Sequence, residues 1–329
     1  MVQPVIKPNN KTRLKSPGKI NLHLAVGGKR GDGFHELRSI FAALDFADTL
    51  CFSPLPGNEG RTAFTMREDG PFLELLRKGQ VFEPIPAEKN MVYLASELFR
   101  RETGLKTNLS IDLIKRIPPG SGLGGGSSNA ATTILALNEL YLGGTLSGEE
   151  MLAMAAQLGS DVPFFVEIAL PKAKKSAARS VSGRGEIFGF LPPPPPFGVL
   201  LAFPGFSSHT GAAFALLDEK RPVPPTLTAG DMANGRGFTW KETGTWDCFN
   251  DFQGLFMNFG SEREKQAYKT IQDDIIGAGA IFSGLSGSGS AFFGIFPALE
   301  EAERAKKQLG GSFYTLTSTF FLRDNQNWL

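Results

Sequence analysis

The chain is predicted to be an α+β protein of two domains, and three observations carry that expectation. Strand-like alternation of apolar and polar residues occurs at two places, a glycine-rich turn leads from one of these strands into a helix, and the last third mixes helical spacing with short strands. At 329 residues the chain also exceeds the roughly 250 to 300 over which a single hydrophobic core usually extends, so two lobes sharing one core are expected.

The first strand is expected between Lys15 and Val26, where Ile20, Leu22, Leu24 and Val26 alternate with other residues to give one buried face. Leu109, Ile111 and Leu113 repeat the pattern, and Pro118 and Pro119 end it, because proline cannot donate to a sheet ladder. A helix follows, with Ala130, Ile134, Leu137 and Tyr141 on one side. Met151 to Leu158 reads as a short helix, Pro163 to Ile168 as a strand, and Gly198 to Phe203 as another strand. Before that last strand, Pro192 to Pro196 form an extended spacer; a polyproline ligand for a partner domain is the other reading of such a run. Asp218 to Trp246, rich in Pro, Gly and Thr and without periodicity, is expected to be an irregular insertion. Helices are expected around Tyr268, Ile271 and Ile275 and around Ala298, Ala302 and Ala305, with strands at Ala291 to Phe296 and Phe313 to Phe321. No internal repeat is present.

Composition excludes several classes. Hydrophobic residues at 41% and charged residues at 20% fit a folded soluble protein. The 34 basic and 33 acidic residues leave no surplus to neutralise a nucleic-acid backbone, so no nucleic-acid partner is expected. Cys51 and Cys248 are too few for a disulfide framework and fit a reducing compartment. The first fifteen residues lack an apolar h-region, and no stretch of about 20 apolar residues occurs, so the expected location is cytoplasmic, without a membrane partner. His35-Glu36-Leu37-Arg38-Ser39 misses the HExxH zinc signature because Ser39 replaces the second histidine.

The sharpest feature runs from Pro118 to Ala130, between a strand and a helix. Five of the seven residues from 120 to 126 are glycine, costly in backbone entropy unless the bare backbone is needed. Phosphate supplies the need: successive N–H groups can line one concavity, and the helix expected to start near Ser127 adds its unpaired amides and the positive end of its dipole. Ser127 and Ser128 could cap that helix, donate to phosphate, or offer a hydroxyl to Mg²⁺. Gly120-x-Gly122-x-x-Gly125 satisfies the dinucleotide fingerprint literally, but the acidic residue expected about 20 positions later is missing, Glu139 coming too early and within the helical pattern. The Walker form and the protein-kinase motifs are absent too.

This loop, Pro118 with Gly122-Leu123-Gly124-Gly125-Gly126-Ser127-Ser128-Asn129-Ala130, resembles the phosphate loop of the GHMP kinases. Ser16-Pro17-Gly18-Lys19-Ile20-Asn21-Leu22 resembles that family's first motif, Leu158-Gly159-Ser160-Asp161-Val162-Pro163 its catalytic-aspartate segment, and Ser283 to Ser290 its third, glycine-rich motif. Asp32-Gly33-Phe34-His35-Glu36-Leu37 and Leu44 to Leu50 follow at the spacing of the branch whose acceptor alcohol, a methylerythritol, carries a cytidine diphosphate head. The resemblance runs from about Ser16 to Phe296 and implies a ribosomal-protein-S5-like lobe binding ATP (residues 1–185) and a ferredoxin-like substrate lobe (residues 186–329).

By the same resemblance Asp161 is the expected base toward the acceptor's 2-hydroxyl, and Lys19 stabilises the developing alkoxide and the transferring phosphoryl group. ATP contacts are expected from Pro118, Gly120, Ser121, Gly122, Leu123, Gly124, Gly125, Gly126, Ser127, Ser128 and Asn129, with Asn90 and Lys115. Acceptor contacts are expected from Asn21, Gly287, Ser288 and Gly289. A cytosine needs a flat slot with polar edges, for which Phe34 and His35 form one wall and Phe214 the other. Phe34 stands where the family usually has Tyr, keeping a stacking face without a hydroxyl. No dedicated metal cage is visible, so Mg²⁺ is expected to arrive with ATP, with Ser128 as its one candidate protein ligand. The chain is expected to be a monomer or homodimer. The competing readings are a GHMP kinase for mevalonate, homoserine or a sugar, a catalytically silent nucleotide-binding module, and a dinucleotide-dependent oxidoreductase. Gly33-Phe34-His35 argues against the first, and the presence of both Lys19 and Asp161 against the second.

Overall fold

The computed structural model describes residues 11–170, 176–227, 240, 248–311 and 313–323. Most of the irregular stretch expected from Asp218 to Trp246 lies outside the described residues. In chain order the elements are β1 (Thr12–Lys29), β2 (His35–Pro54), β3 (Thr62–Glu68), α1 (Gly70–Arg77), α2 (Met91–Thr103), β4 (Leu109–Lys115), α3 (Gly125–Leu142), α4 (Gly148–Leu158), α5 (Val162–Ala169), β5 (Ala178–Gly183) and β6 (Ile187–Phe190). They continue with β7 (Gly198–Phe203), α6 (Thr210–Lys220), α7 (Asp251–Phe259), α8 (Glu262–Gly277), β8 (Phe282–Leu285), β9 (Phe292–Phe296), α9 (Leu299–Gln308) and β10 (Thr315–Phe320).

Two sheets organise the molecule. The first runs β3-β4-β2-β5-β6, with β1 also paired to β2 as a long antiparallel ribbon; β3 and β4 are its parallel pair. The second is the antiparallel sheet β10-β7-β9-β8. Helices α2 to α5 cover the first sheet through Phe99, Ile134, Leu137 and Phe164, which pack on Phe52, Ile111 and Leu113. Helices α6 to α9 cover the second through Leu217, Phe252, Ile271, Ile275 and Ala302, packed with Leu200, Ala202, Phe292 and Phe296. The remaining faces meet each other: Ile20, Leu22, Ile40 and Leu44 share a cluster with Val199, Leu201, Phe293 and Ile295. Because side chains alternate across a strand, β7 sends Val199 and Leu201 to this shared core and Leu200 and Ala202 to the helical layer.

Local chemistry sets the helix ends. Ser147 with Glu150 and Ser261 with Glu264 form capping boxes on α4 and α8, each satisfying two otherwise unpaired amides. Asn90 and Asn250 cap α2 and α7. Gly104 and Gly143 adopt the left-handed conformation that closes α2 and α3.

The strand expected at Pro163 to Ile168 is helix α5 instead. Its residues form a short, nearly continuous apolar run broken only by Glu167 and nearly all buried, for which periodicity cannot separate strand from helix. Pro163 at the start is the decisive signal, since proline suits a helix's first turn and would cost a strand its ladder. The division expected after residue 185 would cut the β5–β6 hairpin, both strands of which belong to the first sheet. The chain changes sheet only at the proline run, which carries no regular structure between β6 and β7. Strand β1 also departs from expectation: beside its apolar face, Lys19, Asn21 and His23 are buried as well. No helix among the described residues is long and apolar enough to cross a membrane.

Ile134 is fully buried at the centre of the α3 interface. Ile134→Ala is expected to cost about 2–5 kcal/mol, read as a lower urea midpoint at unchanged slope.

Candidate active site

A cleft of about 760 Å³ opens beside the glycine loop, where the two sheets and the first turn of α3 converge. Lys19, Asn21, Asn90, Lys115, Pro118, Gly120, Ser121, Gly122, Leu123, Gly124, Gly125, Gly126, Ser127, Asn129, Asp161, Phe214, Gly287 and Ser288 all line it. Phe34, His35, Ser128 and Gly289 do not.

Lys19 projects from β1 and is almost wholly buried. Its ammonium donates to Asn21 Oδ1 at 2.5 Å, lies 3.2 Å from Asp161 Oδ2, and stands 4.5 Å from the centre of the Phe41 ring. An ammonium has three N–H donors, so two committed partners leave one for a ligand. Asn21 donates in turn to Ser39 Oγ (3.0 Å), which donates to the His23 carbonyl (2.5 Å), fixing the amide so that its oxygen faces Lys19. Asp161 occupies the N-cap position of α5, yet its carboxylate accepts no capping hydrogen bond and is about a third exposed. It is therefore open to a substrate proton. A buried lysine is tolerable only with this degree of pairing.

The glycine loop is held by its carbonyls. Leu123 O accepts from the Lys19 N–H (2.9 Å) and Gly122 O from Ser286 Oγ (3.0 Å). Gly120 O accepts from the N–H groups of Ser208 and Ser290, both at 3.0 Å, and Ser121 O from that of Ala291 (3.1 Å). The N–H and C=O of a trans peptide point in opposite directions, so anchoring the carbonyls on protein turns the loop's N–H groups to the cleft. Gly122 has φ +74°, and a Cβ there would sit 2.0 Å from the Ser286 carbonyl oxygen. A Cβ on Gly125 would lie 2.9 Å from Lys115 Nζ. Glycine is required at both, once for conformation and close approach, once for approach alone.

Helix α3 begins at Gly125, two residues before the expected start, with Gly124 as an N-cap that offers no side chain. Its first amides are therefore uncapped at the edge of the cleft, a site of anion affinity. Ser127 and Ser128 consequently lie inside the first turns and cap nothing. They part company there, because successive helical residues are rotated by about 100°: Ser127 lines the cleft, while Ser128 is fully buried and its Oγ accepts from Ser16 Oγ at 2.9 Å. This places the expected hydroxyl ligand for Mg²⁺ away from the cleft. Asn129 fits a bound group better: it lines the cleft, is almost fully buried, and its Oδ1 has no hydrogen-bond partner among the described residues. Asn90 spends its own Oδ1 on the Val92 N–H (3.0 Å) and keeps its amide N–H₂. No group of three or more His, Cys, Asp or Glu able to hold a metal occurs among the described residues.

The nucleobase slot is arranged otherwise than expected. His35 and Phe214 are stacked directly on each other, centroids 4.8 Å apart and planes inclined by 23°. Two walls separated by an inserted base would stand about 7 Å apart, twice the aromatic contact distance, so the slot is closed. His35 Nε2 is held by Asp218 Oδ1 at 2.7 Å. Phe34 is half-exposed with the Arg184 guanidinium 5.1 Å from its ring centre. Gly289 stands back from the cleft; a Cβ on it would meet Tyr268 Oη at 3.0 Å. Its neighbour Ser288 is held through its Oγ by Thr210 Oγ1 at 3.0 Å.

Several residues in or beside the cleft carry no signal in the sequence. Asp218 and Thr210 lie on α6, which has no apolar face strong enough to reveal it. Met66, Phe72, Phe82, Ile85 and Met91 form the apolar end of the cleft, suited to a flat ring system. They come from β3, α1, α2 and the chain between them, which carry no recognisable motif. Asp48 enters only as one of two acids, with Asp45, in the segment Leu44 to Leu50 that the resemblance picks out, with no role attached.

A two-sheet α+β fold with a glycine loop opening a helix, and a lysine–aspartate pair beside it, is the architecture of a small-molecule phosphotransferase. The family comparisons agree: residues 90–167 match the GHMP kinases N terminal domain and residues 240–315 the GHMP kinases C terminal domain. The chain belongs to the GHMP kinase family, whose members are ATP-dependent kinases. It is 33% identical over 307 residues to the 4-diphosphocytidyl-2-C-methyl-D-erythritol kinase of Chlorobium luteolum, covering 90% of this chain and 93% of that one. The enzyme of the same name from Protochlamydia amoebophila is 32% identical over 316 residues, 96% of this chain and 92% of that one. A crystal structure of 4-(cytidine 5'-diphospho)-2C-methyl-D-erythritol kinase superposes with a TM-score of 0.68 at 28% identity, covering 94% of this chain and 99% of that one. Homoserine kinase from Cytophaga hutchinsonii superposes at 0.61 with 15% identity over 97% of this chain and 98% of that one, a likeness of fold alone.

Gly122→Ala is expected to weaken ADP binding by about 5- to 150-fold, the equivalent of about 1–3 kcal/mol of imposed backbone strain. Calorimetric titration of the variant with ADP measures it.

Proposed function

We propose that the chain transfers the γ-phosphoryl group of ATP to the 2-hydroxyl of 4-diphosphocytidyl-2-C-methyl-D-erythritol, a step in non-mevalonate isoprenoid precursor biosynthesis. The observation that carries the reading is the Lys19–Asp161 pair at 3.2 Å on the edge of the glycine loop, in a chain whose relatives of that activity align over nine-tenths of its length. Phosphoryl transfer makes modest covalent demands on the protein, which chiefly positions the reactants and neutralises charge. Asp161 accepts the proton of the attacking hydroxyl. Lys19, already oriented by Asn21 and Asp161, turns its remaining N–H to the oxygen that gains charge, and it does so from a buried site where that interaction is strongest. The loop amides and the first turn of α3 hold the polyphosphate, and the apolar end around Phe72 and Phe82 receives the adenine. Bound with ATP, Mg²⁺ would supply charge neutralisation for the polyphosphate. On the protein side the orphaned Asn129 Oδ1 and the Ser127 hydroxyl are the hard oxygen donors available to that ion or to its waters. Gly287 and Ser288 border the acceptor.

For the cytidine head, the reading requires the stack of His35 on Phe214 to part, Phe214 keeping one face of the base and Phe34 or His35 the other. Asp218 shares α6 with Phe214, so its hydrogen bond to His35 opposes this parting and gives way where the histidine is the wall that moves.

The direct test is ADP release with Mg·ATP, offering 4-diphosphocytidyl-2-C-methyl-D-erythritol, mevalonate and homoserine separately. Turnover with the cytidylyl alcohol alone is expected; turnover with mevalonate or homoserine instead would overturn the acceptor assignment. Asp161→Asn is expected to lower kcat by about 10²–10⁴-fold, the usual worth of a positioned base, at near-unchanged KM for ATP. EDTA is expected to abolish turnover while leaving the melting temperature of the unliganded chain in place, because the ion travels with the nucleotide.

A further inference from the structure

Asp48 lies in β2, opposite Ser16 of β1, and is completely buried. A carboxylate in such a place is costly unless it is both paired with a charge and hydrogen-bonded. Asp48 meets that condition with three donors, all from one short stretch. Its Oδ1 accepts the backbone N–H groups of Arg116 (2.7 Å) and Ile117 (2.8 Å), and its Oδ2 pairs with the Lys115 ammonium. These three residues are the exit from β4 into the glycine loop. The carboxylate thus ties the start of the loop to the sheet's longest ribbon.

Lys115 is itself buried yet lines the cleft. Asp48 takes one of its three N–H donors, leaving two for a ligand. The ammonium sits against Gly125, the first residue of α3, since a Cβ there would come within 2.9 Å of Nζ. An apolar residue at position 48 would fill the core equally well. What it would not do is hold a cation still beneath the uncapped end of a helix, while spanning the two amides that set the loop's direction.

We propose that Asp48 is a positioning residue for the nucleotide: it fixes Lys115 and the entry of the loop in the geometry that receives ATP, without touching ATP itself. The inference rests on the kinase reading above. Its consequence is selective, because the acceptor half of the cleft, at Asn21, Gly287 and Phe214, shares no hydrogen bond with Asp48.

The test uses the full chain. ADP affinity is measured by calorimetry, and the KM values of ATP and of the acceptor by steady-state kinetics, for Asp48→Asn, Lys115→Met and the double variant. Asp48→Asn keeps an oxygen for the two amides but turns an N–H₂ toward Lys115. It is expected to weaken ADP about tenfold and to raise the KM of ATP in parallel, with the acceptor KM within about twofold. The double variant is expected to be no weaker than the worse single variant, since both changes break one unit. Should Asp48→Asn fail to fold, Lys115→Met and Lys115→Arg carry the test, the first losing ADP affinity and the second restoring much of it. Unchanged ADP affinity in Asp48→Asn or in Lys115→Met, an additive double variant, or an equal rise in the acceptor KM would overturn the proposal. A wild-type chain that does not bind ADP would instead remove the kinase reading beneath it.

Discussion

The hydrogen bonds that bind the carbonyls of the glycine loop to the rest of the protein are the constraint on which the site depends. They come from both halves of the molecule: Lys19 N–H from β1 on one side, and Ser208, Ser286, Ser290 and Ala291 from the second sheet's loops on the other. A run so rich in glycine has no conformation of its own to defend. It acquires one because its oxygens are occupied from two directions, and the amides that remain then face a common space. The same bonds make the site a property of the assembled molecule: neither lobe alone could present the loop. This explains why the sheets share a packed core of Ile20, Leu22 and Ile40 with Val199, Leu201 and Phe293, which holds the two sets of donors at a fixed separation.

Strand β1 is the second element of that design. Its even-numbered positions from Ile20 to Val26 feed the hydrophobic cores, and of its odd-numbered positions Lys19 and Asn21 are buried facing the cleft while His23 is buried against Phe249. Bulges in its pairing with β2 between Pro17 and Lys19 and between Asn21 and His23 shift the register at these positions. Bulges commonly re-aim side chains beside active sites. Burial makes the Lys19 ammonium expensive, and the carboxylate of Asp161, the amide of Asn21 and the ring of Phe41 offset the cost. The arrangement that stabilises the cation also orients it, so the chemistry and the folding requirement are met by one set of contacts.

How much of this was legible in the sequence depended on whether a residue's role is local. The loop from Pro118 to Asn129, the strand before it and the helix after it could be read directly, because glycine excess, proline stops and helical spacing act over a few residues. Lys19 and Asp161 could be named only through resemblance, since nothing in a lone lysine or aspartate predicts that 142 positions of chain will close to 3.2 Å. Helix α5 reads as a strand in sequence because its seven buried apolar residues, broken only by Glu167, carry no period. Ser128 is expected at ATP only through the resemblance; one helical step from Ser127, it turns to Ser16 while Ser127 faces the cavity. The wall residues Met66, Phe72 and Phe82 gave no signal, being brought together only by the tertiary fold. Asp48 gives a faint one, as one of two acids with Asp45 in the segment Leu44 to Leu50, and its meaning lies in partners 67 to 69 residues away.

The closed stack of His35 on Phe214 bears on how such a slot can select a base. An empty aromatic slot exposes two apolar faces to water, and collapse of one wall on the other removes that exposure. A base that enters must replace the lost ring contact with stacking of at least equal worth, so the contact acts as a threshold that a weakly stacking or absent head group does not cross. Asp218 sharpens this threshold, because its hold on Nε2 keeps the imidazole near the stacked position rather than free to swing into solvent. Acceptors without a base would leave the stack intact, and Phe214 would then stand in the cleft as a closed wall. On the proposed function, discrimination in this half of the site comes from a contact the protein makes with itself, with which the cytidine head competes.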